Sequence, residues 1–320
     1  MNRSNLLLLI VLATGLFAFP LILRDVYLLT LMIFVGIHIL VALGLTMLIG
    51  FAGQLSLCQA AFYGIGAYTT AVLSVKTGMN PLFTSIVAVL LACLVAFILG
   101  MPALKLRGHY LAMATLGFGE IVNIVFKEWG AMTGGPSGLV GIPQMHIGGI
   151  SVDTDLRYFY FVWIIVLLVV AFLINLANSR VGRGLQALKR SEDAAGTMGI
   201  PVARYKIKVF VLSAALAALG GALYAHYVTV ISPESFDVFF SVVLVTMVVA
   251  GGLLSVWGGV IGASLFTILP DTLQAFEDYN VIIYGFILLF ILMFMPKGLA
   301  GLISLGVDRA KRLMDRGVNG

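Results

Sequence analysis

Long apolar runs separated by short polar breaks fill this chain from one end to the other. A helix that crosses a membrane needs about 20 mostly apolar residues. Runs near that length, read between breakers, fall at 5–23, 28–50, 58–76, 82–102, 110–127, 158–177, 208–230, 238–255, 258–271 and 280–296. The pattern predicts an all-α protein, a polytopic membrane helical bundle of about ten segments with 1–320 as a single domain. The runs 58–76 and 258–271 are rich in glycine and the second is short. They are expected to include broken or re-entrant pieces buried in protein.

Composition sharpens this picture. Hydrophobic residues make up 61% of the chain and charged residues 10%, whereas a soluble domain carries roughly 25% charged residues. Such a chain could not cover a water-facing surface, but it can cover one that faces lipid. Its 36 glycines suit membrane helices packed closely through small residues. A sequence pI near 9.2 raises the question of nucleic acid. The Lys and Arg residues, however, sit beside apolar runs and form no basic patch interleaved with aromatics, so no nucleic-acid partner is expected. Cys58 and Cys93 both lie in apolar stretches and say nothing about redox compartment. Arg3 followed by Leu6 to Phe19 is read as an uncleaved first helix.

Where the charges fall sets an orientation. With the N-terminus inside, fifteen of the nineteen basic residues occupy cytoplasmic segments, and only Arg24, Lys76, Lys127 and Arg157 lie outside. The excess predicts cytoplasmic N- and C-termini, a periplasmic loop at 128–157, a cytoplasmic loop at 178–207 and a cytoplasmic tail at 297–320. The outer loop holds Thr133 to Gly138 and Gly141-Ile142-Pro143, turn residues without helical period. Gly53-Gln54-Leu55-Ser56 is echoed by Gly252-Leu253-Leu254-Ser255, a hint of the duplicated halves that transporters often show.

The inner loop is punctuated as a short helix. Ser191 can cap its start, and Glu192 and Asp193 fall in the first turn, where the helix dipole favours anions. Gly199 stands where a left-handed residue ends a helix, and Pro201 forbids continuation. Two turns from Glu192 to Met198 are not stable alone, so this helix must lean on something. Ala194 and Ala195 permit close approach, and Arg190 and Arg204 flank it as cations that can meet acidic groups.

Candidate pathway residues are few. Glu120 is the one carboxylate inside a confident run, in 110–127. Burying an ionised acid at that depth costs about 2.5–3.5 kcal/mol on insertion scales, so it is expected to face the bundle interior. Asn123 and Lys127 follow at helical spacing on the same stripe. Glu120 fits either a pathway residue or a polar lock between helices. Gln54, Ser56 and Gln59 cluster at a break between the second and third runs, where they can satisfy exposed backbone or line a pathway. Ala214, Ala217, Ala218 and Gly221 give the small-residue spacing of a tight helix contact. The histidines at 38, 109, 146 and 226 have no metal-like spacing and no nucleophile–base pair occurs, so no metal site and no catalytic residue are expected.

Several separated segments carry a family resemblance. Asp193-Ala194-Ala195 with Gly199 resembles the Glu-Ala-Ala-x-x-x-Gly loop of ABC importer permeases, a coupling helix that enters a groove on the ATPase subunit. Gly53 to Leu57 with Ala60 to Tyr68 is similar to the early core of the branched-chain amino acid importer permeases. Leu104 to Ala112, Thr115 to Ile121, Thr133-Gly134-Gly135, Ser179 to Arg183 and Met295 to Leu299 resemble their M-type (LivM-like) subunit. Cys58-Gln59 departs from the family's usual Gly-His there.

The resemblance implies a sister permease of the H type, two cytoplasmic ATPases that use ATP and Mg, and a periplasmic amino-acid-binding protein. Asp153, Asp155, Glu234 and Asp237 are then candidates for docking that binding protein, and Ser191, Glu192, Asp193, Ala194, Ala195, Gly199, Arg190 and Arg204 for coupling to the ATPase. This chain itself is expected to bind no cofactor, because it contains no Gly-x-x-x-x-Gly-Lys-[Ser/Thr]. The implied site is a bacterial inner membrane and the implied cargo leucine, isoleucine or valine. Urea permeases of the same type share much of the pattern, and a stand-alone secondary transporter using Glu120 is a further alternative.

Overall fold

A computed structural model of the chain describes residues 3–22, 25–147, 150–272, 285 and 298–299. The expected run 280–296 and tail 297–320 therefore lie almost wholly outside the described residues. In order, the helices are α1 (Arg3–Ile22), α2 (Val26–Leu45), α3 (Gln59–Thr77), α4 (Pro81–Ala103), α5 (His109–Glu128), α6 (Gly130–Thr133), α7 (Asp155–Asn178), α8 (Arg180–Arg190), α9 (Glu192–Thr197), α10 (Val202–Val228), α11 (Val238–Gly251) and α12 (Val256–Thr272). Five of them, α2 with the turn after it, α4, α5, α7 and α10, are long and apolar enough to cross a membrane. Shorter apolar helices occur at Leu8–Phe17, Val238–Gly251 and Val256–Pro270. The protein is a mostly helical, multi-pass membrane bundle.

Packing, rather than hydropathy, sorts these helices. Both α2 and α4 are apolar all round, yet Ile33, Ile37, Leu40 and Leu43 of α2 are fully buried while Phe83, Leu90 and Ile98 of α4 are exposed. The central helix can be apolar on every side because each side meets protein, and the outer helix because its free side meets lipid. Between helices in lipid no hydrophobic force acts, so close van der Waals contact must hold them. The widest contact, between α10 and α3, is of that kind. A side-chain carbon on Gly66 would lie 2.1 Å from the Ala218 carbonyl oxygen, and one on Gly221 would lie 1.9 Å from that of Tyr63. The small residues read along the seventh run thus line a backbone-to-backbone seam.

Helix breaks differ from expectation in position. The third run is an unbroken helix, and the interruption precedes it. After α2 the ladder widens into a π-helical turn, Thr46–Phe51, and residues 53–58 have no regular secondary structure. The ninth run is also continuous, from Val256. The eighth stops at Gly251 rather than 255, because Gly252 takes φ +121°. The two glycine breaks meet, since a side chain on Gly50 would strike the Leu253 carbonyl. The four-residue echo therefore marks two chain breaks that pack together.

At one end of the bundle the glycine-rich segment after α5 is tied down by a short antiparallel pair, Leu139–Val140 with Val230–Ile231. A backbone bond from Ile142 N to Thr229 O (3.1 Å) and a 2.7 Å contact of His226 Nδ1 with Pro143 O extend the tie. The other end carries the 104–108 turn, α8 and α9.

Candidate functional site

Within residues 178–207, the chain forms two helices where a loop with one was expected. Ser179 accepts hydrogen bonds from Val181 N and Gly182 N and so starts α8. Leu185 and Leu188 turn inward while Arg180, Arg183 and Arg190 stay exposed. A Ser cap and that spacing of leucines were the signal for a helix, hidden by the density of charge. Lys189 reaches back to the Gly50 carbonyl at 2.8 Å. That carbonyl belongs to the widened turn after α2, so the lysine supplies a donor where the regular ladder has stopped. Burial lowers the Lys189 pKa from the ordinary lysine value.

The second helix, α9, starts on Ser191, whose hydroxyl accepts from Ala194 N at 3.2 Å. It ends with Gly199 N bonded to Gly196 O and Ile200 N bonded to Ala195 O. That pair of bonds is the Schellman closure, and Gly199 takes the left-handed φ of +79° that it requires. Ala195 is buried against the bundle, while Asp193, Ala194, Gly196, Thr197 and Met198 face outward. Met198 is 82% exposed, an apolar side chain presented just after α9. The outward face of α9 thus carries the small residues Ala194 and Gly196 and the exposed Met198 beside Asp193 and Thr197, and Ala195 belongs to its inner face.

What α9 leans on is ionic. Glu192 pairs with Lys206 of α10, and its other oxygen lies 3.2 Å from Arg107 Nε. Arg107 also reaches Asp193 at 3.2 Å. Lys206 is buried and extends to the Leu104 carbonyl at 3.4 Å. The hydrogen bond from Arg107 to Asp193, with the charges of Asp193 and Glu192 behind it, raises the Arg107 pKa above the ordinary arginine value. Arg190 and Arg204 remain exposed. The acids of the first turn answer not only the helix dipole but two cations from distant parts of the chain, which spacing along the sequence could not reveal.

Deeper in the bundle, Gln54, Ser56 and Gln59 are buried together at the α2–α3 break. Ser56 Oγ contacts Cys58 Sγ at 3.2 Å and Gln59 donates to Ser213 on α10. Among the described residues, neither amide atom of Gln54 has a hydrogen-bond partner. The break is therefore a partly satisfied polar pocket next to the α3–α10 seam.

Asn123 and Glu120 part company. Asn123 is buried and donates to the carbonyls of Pro233 (3.1 Å) and Phe236 (3.3 Å), which ties α5 to the turn before α11. Glu120 is exposed, on a stripe with Tyr110, Met113, Gly117 and Ile124. The expectation that it faces the interior of this bundle is not met, and the shared stripe with Asn123 is not observed. The physical reason is that α5 packs by its small and polar side, Ala112, Thr115, Gly119 and Asn123, with Leu57 N donating to Thr115 Oγ1 at 3.0 Å.

Four acids, Asp153, Asp155, Glu234 and Asp237, flank the helices at the opposite end. Asp153 is exposed and lies 3.5 Å from Arg157, and Glu234 is exposed. Asp155 accepts from Tyr227 at 3.1 Å, and Asp237 caps α11 by accepting from Phe240 N at 2.9 Å. Two of the four are thus engaged in holding the fold. Among the described residues no cluster of His, Cys, Asp and Glu is arranged to hold a metal ion.

Residues 27–292 match the family model described as the branched-chain amino acid transport system / permease component. The chain is 34% identical over 286 residues to the high-affinity branched-chain amino acid transport system permease protein LivM of Escherichia coli K12, covering 82% of this chain and 67% of that one. It is 26% identical over 318 residues to the probable LivM permease protein of Methanocaldococcus jannaschii, covering 82% and 90%. The E. coli LivH permease protein is 24% identical over 282 residues, covering 82% and 91%. No solved structure matches.

Proposed function

This chain belongs to the family of branched-chain amino acid transport permease components, and from that premise we propose that it is one of two unlike permeases enclosing the pathway of an ABC importer for leucine, isoleucine and valine. It is a transport subunit and not an enzyme. The names of its relatives favour branched-chain amino acids over urea. Similarity to both LivM and LivH fits a paired permease of the same fold. Two partner ATPases that bind ATP and Mg supply the energy, and a periplasmic binding protein delivers the cargo at the end where Asp153 and Glu234 are exposed.

The observation that carries this reading is α9. A two-turn helix, closed at both ends and presenting Ala194, Gly196 and an exposed Met198, has the form of a plug for a groove on another protein. It stands at the end of the bundle with the basic segments, which the charge bias places in the cytoplasm. In this arrangement the chain has ten spans, with both termini, the 178–207 segment and the 297–320 tail inside and the 128–157 segment outside. Glu120 supports a shared pathway, because a carboxylate turned away from its own bundle cannot face lipid cheaply and is accommodated between two permeases.

The test is a cross-link. A cysteine at Met198, after removal of Cys58 and Cys93, should join the ATPase subunits of the assembled transporter, while one at Leu90 on the lipid-facing side of α4 should join none. Cross-linking from Leu90 and not from Met198 would overturn the assignment.

A further inference from the structure

We infer that Arg107 links α9 to α5, carrying movement of the docking helix into the helix that bears Glu120. The inference rests on the coupling role proposed for α9. It starts from a difference between two ion pairs made by one short helix. Lys206 and Glu192 have side chains 5% and 24% exposed, so this pair anchors α9 to α10 in a largely dry setting. Breaking such a pair leaves a buried charge and destabilises the fold. Arg107 and Asp193 are 64% and 83% exposed. An exposed pair adds little to stability. Arg107 nevertheless spans both carboxylates of α9, with Nε toward Glu192 and a terminal nitrogen toward Asp193. A hydrogen bond to Asp193 and an ion-pair contact with Glu192, both from one planar group, hold the guanidinium against the start of α9.

The residue next to Arg107 gives the link its purpose. Gly108 stands immediately before α5 and takes φ +58° and ψ −127°, a backbone state open to glycine and strained for other residues. Nothing lies within 4 Å of the position a side chain would occupy there. The glycine is thus required by its conformation and not by crowding, as at a swivel. Beyond it, α5 touches the rest of the bundle sparingly, by one narrow stripe. Helix α5, pivoting on glycine, tethered through arginine to a docking helix and held to the bundle along one stripe, can turn about that stripe while the α3–α10 seam stays closed.

The experiment uses the assembled transporter in liposomes with its loaded binding protein. Arg107→Gln and Asp193→Asn should each lower binding-protein-stimulated ATP hydrolysis at least threefold. In Arg107→Gln, which lies outside the docking helix, basal hydrolysis and recovery of all subunits should stay at the parent level. The double variant should be no worse than either single one, since both remove the same link, and Arg107→Lys should recover part of the loss. Full stimulation in Arg107→Gln, or a double variant falling by the product of the two single effects, overturns the link. So does loss of subunit recovery or basal activity in Arg107→Gln, which would make the residue structural. The Met198 cross-link separates the two ideas. If it forms while Arg107→Gln is fully stimulated, the link fails and docking stands; if it does not form in the parent, both fail.

Discussion

Replacing Gly66 with alanine puts a methyl group into a close seam of the bundle, where α3 and α10 touch backbone to backbone. The added carbon would lie 2.1 Å from the Ala218 carbonyl oxygen and 2.5 Å from its Cα, both backbone atoms that cannot swing aside. Restoring ordinary contact requires the helices to separate by about 1 Å or more, which costs roughly 1–3 kcal/mol in a packed core. At 1.4 kcal/mol per tenfold, that is a loss of about 5- to 150-fold in the folded population. Gly117→Ala provides the contrast. It lies on the outward stripe of α5 with nothing within 4 Å, and alanine is the better helix former by about 0.5–1 kcal/mol. The assay is thermal unfolding of the purified chain in lipid nanodiscs, followed by the intensity of its monodisperse peak. Gly66→Ala should lower the midpoint by several degrees, and Gly117→Ala should leave it unchanged or raise it slightly. A Gly66→Ala chain as stable as its parent would refute the close α3–α10 seam.

Three further outcomes are expected. Cysteines at Arg190 and Pro136, in a chain without Cys58 and Cys93, should be labelled by an impermeant reagent in spheroplasts at 136 and not at 190; the reverse pattern would invert the orientation. Glu120→Gln should leave subunit assembly intact while changing transport severalfold, whereas Glu120→Leu should also alter recovery of the sister permease, and no effect of either would reduce Glu120 to a tolerated surface residue. Gly199→Val strains the left-handed end of α9 and should abolish stimulated ATP hydrolysis with normal membrane insertion; Ala195→Asp should act by expelling α9 from its inner seat, so ATPase association, not only turnover, should fall.

The parts of this molecule that could be read from sequence are those set by local chemistry. Ser191, Gly199 and Pro201 bracket α9 because caps and left-handed glycines act within a few residues. Ala214 to Gly221 announce a close helix contact, though not that Gly66 is the other side of it. Distance in sequence conceals which group answers which. Lys206 and Arg107 hold α9, and Lys189 meets a carbonyl released by the break after α2, but no periodicity connects those positions. Glu120 and Asn123 sit at helical spacing, yet a difference of three residues leaves them about 60° apart around a helix. That rotation is enough to bury one against Pro233 and expose the other. The helix α8 is hard to see in sequence because dense charge resembles a loop, although its leucines are already spaced to face inward.

The central claim is that this chain forms half of an ATP-driven pathway for branched-chain amino acids. It is tested most directly by uptake of labelled leucine into ATP-loaded liposomes bearing the chain, its sister permease and their ATPases, oriented so that the binding protein meets the outer face. Accumulation of leucine that requires both ATP and the binding protein, is competed by isoleucine and valine, and is unaffected by urea is the predicted result. Leucine entry without ATP, or ATP-driven accumulation of urea in place of leucine, would contradict it.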